Sequence, residues 1–555
     1  MPRFVQPIPP LPPVYVADFV LQAHLDRVLG EAGHKEAAPI LEALAADVQG
    51  PLRAAHDDAE RHPPRLVQYD GWGRRVDRIE VSAGWEAQRR AAARHGVVAL
   101  PYEEAARRTW GAGARVVQHA LLHLYGPESA TFSCPVAMAD GAATLLSGTD
   151  VDPAVREPWL GRLLSRDPEL AITSGQWMTE TAGGSDVSGT ATTAARAPDG
   201  RWRLTGEKWF CSATDSAIAI ALARPDGAAE GSRGLACFLV PRYSGDAGAE
   251  QETAEGLLIH RLKDKLGTRA LPSAEVALDG AVAYPVGDPA EPGLARMMRL
   301  VQVTRLHNAA AASAGMRRGL AYVREHARAR SVFGKPLDAQ PLHREILTWL
   351  AVDAEAAFAL TGLCFSLLGR VEVDADPEAA SLLRLAATLA KAATGKLAVA
   401  SASEYVECFG GNGFIEDTGV PRLLRDAQVL PIWEGTTNVL SLDVVRALGA
   451  DPAQVAFMTY LDRACATARA DGDRELTLVA DQVAGLRRSL AAELAGLDRG
   501  GPAQAGSRHL ALTMAHLLAA GALLDQASGG PAPTQSRATA VAAYWVRRRL
   551  LADPC

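Results

Sequence analysis

Leu430-Pro-Ile-Trp-Glu-Gly-Thr-Thr-Asn438 holds a single charged side chain, Glu434, set between a tryptophan and a glycine. Ile432 and Trp433 are apolar, and Gly435 lets the backbone come close to a ligand. A carboxylate kept among apolar groups has its charged form disfavoured and becomes a competent base. The same run also reads as an ordinary helix start, with an acid in the first turn favoured by the helix dipole and Trp433 in the core. The surrounding residues decide between these readings.

Upstream lie Cys408-Phe-Gly-Gly-Asn-Gly-Phe414 and Pro421-Arg-Leu-Leu-Arg-Asp426. Together with the segment around Glu434, they resemble the C-terminal signature of the acyl-CoA dehydrogenases, a family of flavoenzymes. The resemblance implies that Glu434 removes the α-proton of an acyl thioester. It also implies that Trp433, Gly435, Thr436 and Asn438 lie along an FAD.

A second motif is Met178-Thr-Glu-Thr-Ala-Gly-Gly-Ser-Asp186. Hydroxyls and backbone N–H groups beside two glycines suit a flat heteroaromatic ring, although Gly-Gly alone equally marks a turn between strands. The segment resembles the family's flavin loop. By that match Met178, Thr179, Gly183, Gly184 and Ser185 contact the flavin, and Thr179 and Ser185 also approach the substrate. Lys208-Trp-Phe-Cys-Ser212 resembles the strand that follows in the family, where an aromatic ring covers the flavin and a hydroxyl bonds N5. This places Trp209, Phe210 and Ser212 at the cofactor, with Ser212 near the substrate as well.

Arg330-Ser-Val-Phe-Gly-Lys-Pro-Leu-Asp-Ala-Gln340 supplies an arginine, whose planar fork suits a diphosphate. It resembles the family element in which an Arg, a Phe and a Gln reach the FAD of a neighbouring subunit. Arg330, Phe333 and Gln340 fill those places, and Gly410 and Gly411 pass the same phosphates. A homotetramer built as a dimer of dimers follows from the resemblance. Lys263-Asp-Lys-Leu-Gly-Thr-Arg269 reads as a structural closure of the middle region.

At 555 residues the chain exceeds one small core, so several packed units are expected. Residues 1–166 read as mostly helical after a Pro-rich entry, with Tyr69-Asp-Gly-Trp-Gly-Arg-Arg-Val-Asp77 rich in turn residues and Cys134-Pro135 opening a helix. Residues 167–290 alternate short apolar runs with Gly, Asp and Pro, as in an antiparallel β unit, with a surface loop from Gly245 to Gly256. The helical period returns over 291–447, where Leu342, Ile346, Leu347 and Leu350 read as a core stripe, as do Leu382, Leu385 and Leu389. Further helices are expected over 448–555. The fold class is α+β: the acyl-CoA dehydrogenase arrangement of an N-terminal helical domain, a middle β-barrel and a C-terminal helical bundle, here with an additional helical region.

The seven cysteines show no ligand or CxxC spacing, and the opening residues lack an apolar signal core. A reduced, cytoplasmic setting is therefore expected, and no metal site. The net charge of −7 argues against broad nucleic-acid binding.

Met178-Thr-Glu, Leu262-Lys-Asp-Lys-Leu-Gly267, Trp433-Glu-Gly and the extra C-terminal helices resemble the AidB-like branch of the family. That branch is named for a flavoprotein of the alkylation response. The resemblance carries an alternative function, a DNA-associated protective flavoprotein with vestigial dehydrogenase activity. From Arg446 to Cys555 there are 12 Arg, no Lys and 10 acidic residues, with one cluster at Arg547-Arg-Arg549. A phosphate-binding face needs more clustered cations than this. His307 stands where many members carry an acid near the pantetheine, within Thr304-Arg-Leu-His-Asn308, and Glu407 stands where many have Gln.

Overall fold

The structure is a computed structural model; it describes residues 12–244, 252–450, 452–496, 501–529 and 532–552. The start of the Pro-rich entry and most of the Gly245–Gly256 loop lie outside these residues. Packing divides the chain into two compact units that cut across the consecutive spans read from the sequence. One comprises Met1–Ala45, Glu104–Pro127 and Asn308–Cys555; the other comprises Ala46–Glu103 and Glu128–His307. The N-terminal helices are shared out because each buries its apolar face on a different neighbour. Ala114–Tyr125 packs on Pro341–Val373 in the first unit, and Ser133–Leu146 packs on the strand Ser174–Trp177 in the second.

In the second unit, five strands close into a ring. Ser273–Pro285 pairs with Trp202–Ser212, which pairs with Thr193–Arg196, then Ile218–Pro225, then Ala236–Pro241, which returns to Ser273–Pro285. Leu257–Leu262 and Ser174–Trp177 extend this ring as flanking strands. The ring is not wholly antiparallel as expected: Ile218–Pro225 pairs in parallel with both Ser174–Trp177 and Thr193–Arg196. The continuous apolar run Ile218–Leu222 suits this central position, buried on both faces. Small side chains fill the interior, with Ala194, Ala219, Ala221, Ala223 and Ala236 around Phe238 and Trp177. Only small residues leave room for these rings inside so narrow a barrel.

The turn-rich segment near residue 70 is a β-hairpin, Arg65–Tyr69 with Arg75–Glu80, inside a region expected to be mostly helical. The Asp70 carboxylate closes its tip by accepting from the backbone N–H groups of Trp72 and Arg74, both at 2.9 Å. Gln68 and Arg75 then donate to the carbonyl of Ile259 at 3.0 and 2.8 Å, covering the free edge of Leu257–Leu262. Cys134 and Pro135 do open a helix, Ser133–Leu146.

The first unit is helical. Its long members are Pro341–Val373 and Pro377–Cys408, joined by the second half of Gly293–Ala329 and by Ala453–Ala470, Arg474–Ala495, Gly501–Ala527 and Ala532–Val546. Leu382, Leu385 and Leu389 are buried as their spacing predicts, as are Leu347 and Leu350. Leu342, in the first turn of its helix, is instead 74 % exposed, and Ile346 is half-buried. Pro341–Val373 and Gln504–Ala527 are long and apolar enough to cross a membrane, but most of each apolar stretch is buried.

Candidate active site

The Glu434 segment is a reversal between two helices. Val420–Ala427 ends in successive turns, and Thr437–Ala450 begins just beyond. Glu434 has φ +57° and Gly435 φ +111°. A non-glycine residue in that region costs on the order of 1 kcal/mol or more and persists only where its surroundings hold it. Two clamps do so from within the helical unit. The Lys391 ammonium, fully buried on Pro377–Cys408, donates to the Gly435 carbonyl at 2.5 Å, and the Asn308 amide donates to the Leu430 carbonyl at 3.2 Å. Gly395 allows the close packing, since a Cβ there would lie 3.1 Å from the Leu430 carbonyl. The ordinary helix-start reading is thereby excluded. Glu434 precedes the helix instead of occupying its first turn, and it is half-buried.

Its sequence neighbours differ in use. Trp433 is half-buried, and its indole Nε1 is buried with no hydrogen-bond partner among the described residues. Thr436 is exposed and its carbonyl accepts from the Leu440 N–H at 2.9 Å; the Asn438 Oδ1 accepts from Arg508 at 3.2 Å. Gly410 has φ +59°, and open space surrounds the Cβ positions of Gly410 and Gly411. Phe409 beside them stacks on His326, with centroids 4.3 Å apart. Arg330 and Phe333 sit on the short Ser331–Val332/Lys335–Pro336 hairpin. Phe333 is 98 % exposed at φ +50°, while the Gln340 amide folds back to donate to the Val332 carbonyl at 3.0 Å.

In the second unit, Met178 and Thr179 follow the strand Ser174–Trp177. The Trp209 N–H donates to the Thr179 carbonyl at 2.9 Å, so the loop and the strand Trp202–Ser212 are joined directly. Glu180 and Gly183 exchange backbone hydrogen bonds at 3.3 and 3.1 Å, which folds Thr181-Ala182 into a tight turn. A Cβ on Gly184 would lie 2.7 Å from Thr179 Oγ1, so only glycine fits beneath that hydroxyl. Ser185 is exposed, Ser212 Oγ lies 3.2 Å from Ser273 Oγ, and Phe210 is 57 % exposed. The Lys263 ammonium lies 3.4 Å from the centroid of the Trp209 ring and 2.6 Å from Glu275. Lys265 ties the same loop to the Leu271 carbonyl at 2.6 Å, in keeping with a structural closure.

A buried ion pair that sequence reasoning passed over holds this half together. Lys208, with no exposed side-chain surface, donates to Glu180 at 2.7 Å and to the Leu222 carbonyl at 2.8 Å. Glu180 also accepts from the Ala191 and Thr192 N–H groups at 2.7 and 3.2 Å. Burial pushes the Glu180 carboxyl up, but the Lys208 ammonium and these donors outweigh it and hold it below its usual range; burial also lowers Lys208. The signal was present in the motifs, as an acid between two threonines in Met178–Asp186 and the one lysine of Lys208–Ser212. His307, another departure from the family pattern, is also buried, with Nε2 2.7 Å from Asp140, which accepts from the Tyr102 hydroxyl at 2.6 Å.

The donor set suits a flavin. Within the β unit, hydroxyls and an uncovered aromatic ring lie on two adjoining segments; within the helical unit there are an unpartnered indole N–H, open glycines and an arginine. Among the described residues, no cluster of His, Cys, Asp and Glu could hold a metal ion. Two of the three arginines at 547–549 are engaged within their own unit: Arg548 and Arg549 pair with Asp353, and Arg548 lies over the Trp349 ring at 4.5 Å, while Arg547 is exposed.

The sequence matches the Adaptive response protein AidB N-terminal domain over residues 13–169, the Acyl-CoA dehydrogenase middle domain over 175–281 and the Acyl-CoA dehydrogenase C-terminal domain over 291–449. It is 37 % identical to Acyl-CoA dehydrogenase family member 11 of Caenorhabditis elegans, across 96 % of this chain and 87 % of that protein. It is 36 % identical to Putative acyl-CoA dehydrogenase AidB of Escherichia coli, across 70 % of each. The crystal structure of Caenorhabditis elegans ACDH-11 in complex with C11-CoA superposes with a TM-score of 0.93 at 35 % identity, covering 100 % of this chain and 94 % of that one.

Proposed function

This chain belongs to the acyl-CoA dehydrogenase family, on its AidB-like branch, and is an FAD-dependent oxidoreductase; from that premise we propose that it carries out α,β-dehydrogenation of an acyl-CoA thioester with Glu434 as the base. The observation that carries the reading is the strained turn that lifts Glu434 off its helix and is clamped by Lys391 and Asn308. A surface acid at a helix start needs neither the strain nor two buried donors.

When bound, FAD supplies the electron sink that takes the β-hydrogen as hydride. Glu434 removes the α-proton, and its own backbone N–H polarises the thioester carbonyl as negative charge builds on oxygen. Met178, Thr179, Gly183, Gly184, Ser185, Trp209, Phe210 and Ser212 hold the flavin and the near end of the substrate. Arg330, Phe333, Gly410 and Gly411 take the diphosphate end. Gln340, already bonded to Val332, stiffens the hairpin that presents Arg330 and Phe333. An acyl-CoA substrate is supported by the C11-CoA bound to the Caenorhabditis elegans protein.

A homotetramer is part of this proposal. Phe333 and Phe414, at 98 % and 83 % exposure, are large apolar side chains that a partner subunit would cover. A cytoplasmic location is proposed as well. The DNA-associated alternative draws on the similarity to AidB, but Arg548 and Arg549, two of the three arginines in the basic cluster it would use, are already bonded to Asp353.

Anaerobic titration of the purified flavoprotein with a panel of acyl-CoAs tests the reading. Bleaching of the flavin band is expected with at least one thioester. Glu434→Gln is expected to retain flavin and to slow that bleaching by about 10²–10⁴-fold, the usual range for loss of a positioned base. Absence of bleaching with every thioester, alongside salt-sensitive retention on DNA, would favour the alternative.

A further inference from the structure

A cleft of about 370 Å³ lies wholly within the helical unit and shares no lining residue with the candidate active site. Four arginines converge on it: Arg324 and Arg328 from Gly293–Ala329, Arg344 from Pro341–Val373, and Arg537 from Ala532–Val546. Asp338 is the one acid in the lining.

Two of the four arginines are already used. Arg328 pairs with Glu325, and Arg537 pairs with Glu355 at 2.7 Å through its Nη1. Arg324 and Arg344 have no ion pair among the described residues. Arg324 is also half-buried. Burial and then the like charge of Arg317 lower its pKa, Glu355 acts the other way, and Arg537 and Arg328 lower it further. Arg317 itself is committed to Asp18 at 2.8 Å. A half-buried guanidinium facing other guanidinia is an unfavourable arrangement that an anion would relieve.

The rest of the lining is Leu347, Ala351, Val352 and Val541, with one hydroxyl-bearing residue, Thr348, beside the guanidinium groups. The volume falls within the range of small-molecule pockets. We propose that this cleft is a second ligand site, which binds the phosphoryl end of a phosphorylated organic molecule through Arg324 and Arg344 and packs its organic body on Leu347 and Val541. The planar fork of arginine matches phosphate oxygens, so one guanidinium can take two of them at once. Arg537 ties the site to the additional C-terminal helices.

The test is calorimetric titration of the full-length, FAD-loaded protein with ADP and with pyrophosphate, while the flavin spectrum is followed. Saturable binding of ADP with an unchanged flavin spectrum is expected, with pyrophosphate weaker for lack of an organic body. Arg324→Gln and Arg344→Gln should each weaken ADP binding by roughly tenfold or more, the equivalent of one charge-assisted contact. Acyl-CoA-dependent bleaching should be unchanged in both. Thermal melts separate a binding role from a structural one. Without ligand, Arg324→Gln should melt at or above the wild-type temperature, because it removes a cation among like charges; with ADP, the wild type should gain stability and the variant should not. The proposal is overturned if ADP fails to bind at millimolar concentration, if both variants bind it as the wild type does, or if binding releases flavin. Retention of duplex DNA that depends on Arg324 and Arg344, without ADP binding, also overturns it.

Discussion

Asp215 in the β unit accepts from the Trp85 indole at 2.7 Å through Oδ2, while its Oδ1 is buried with no partner among the described residues. Burial raises its pKa to about 6, against the lowering effect of Trp85. The folded state therefore holds this proton between about pH 4 and 6 when the unfolded chain has released it. Stability from this group falls as pH rises through that window, by about 3 kcal/mol in all. Asp215→Asn should raise the melting temperature at pH 7 to 8 and flatten the profile between pH 4 and 6. His24 in the helical unit has the opposite sign. Burial, then Arg27 and His123, lower it to about 3, so the unfolded chain takes up a proton first. Its contribution is complete above about pH 6.5 and is lost as pH falls towards 3, by about 5 kcal/mol. Replacing His24 with Gln should shift acid unfolding, followed by circular dichroism, to lower pH. Failure of either profile to move would remove the corresponding residue from the pH dependence.

At the scale of elements, the Thr179–Ser185 loop is held by the buried Glu180–Lys208 pair, by the Ala191 and Thr192 N–H groups that donate to Glu180, and by the Trp209 N–H on the Thr179 carbonyl. Lys208→Met leaves Glu180 buried without its cation, which costs about 3–5 kcal/mol. The double variant Glu180→Gln/Lys208→Met should be less destabilised than the two single changes summed, because neither charge is then stranded. Urea denaturation of the four proteins measures this coupling. Flavin retention on gel filtration should fall in the Lys208 variant, since Thr179 and Ser185 lose their anchor. Wild-type stability in that variant would mean that the strand pairing alone suffices. The Asp70 cap shows the same logic in the hairpin at residue 70, where one side chain orders two backbone N–H groups and so sets the strands that cover the barrel edge.

At the scale of the whole molecule, the exposed rings of Phe333 and Phe414 carry the prediction of assembly. Phe414→Asp should leave helix content unchanged and shift the sedimentation coefficient to a smaller species, with loss of FAD if a partner completes the cofactor site. An unchanged coefficient would refute a subunit contact at that residue. Much of the architecture was legible in the chain. The barrel strands announce themselves by short apolar runs between turn residues, and Leu382, Leu385 and Leu389 by helical spacing. The parallel pairings of Ile218–Pro225 were not legible, because a run buried on both faces has no alternation to reveal the direction of its neighbour.

The sequence by itself determined the family and the identity of the candidate base, because those motifs are local: Trp433, Glu434 and Gly435 are adjacent, and Thr179, Gly184 and Ser185 fall within seven residues. Only the tertiary structure decided which charges are occupied. Arg548 and Arg549 bond Asp353 across nearly two hundred residues, while Arg324 and Arg344 share a cleft with no ion pair among the described residues. The effect of a charge depends on what folding brings within a few ångströms of it, and for these arginines the relevant groups come from helices far apart in the chain.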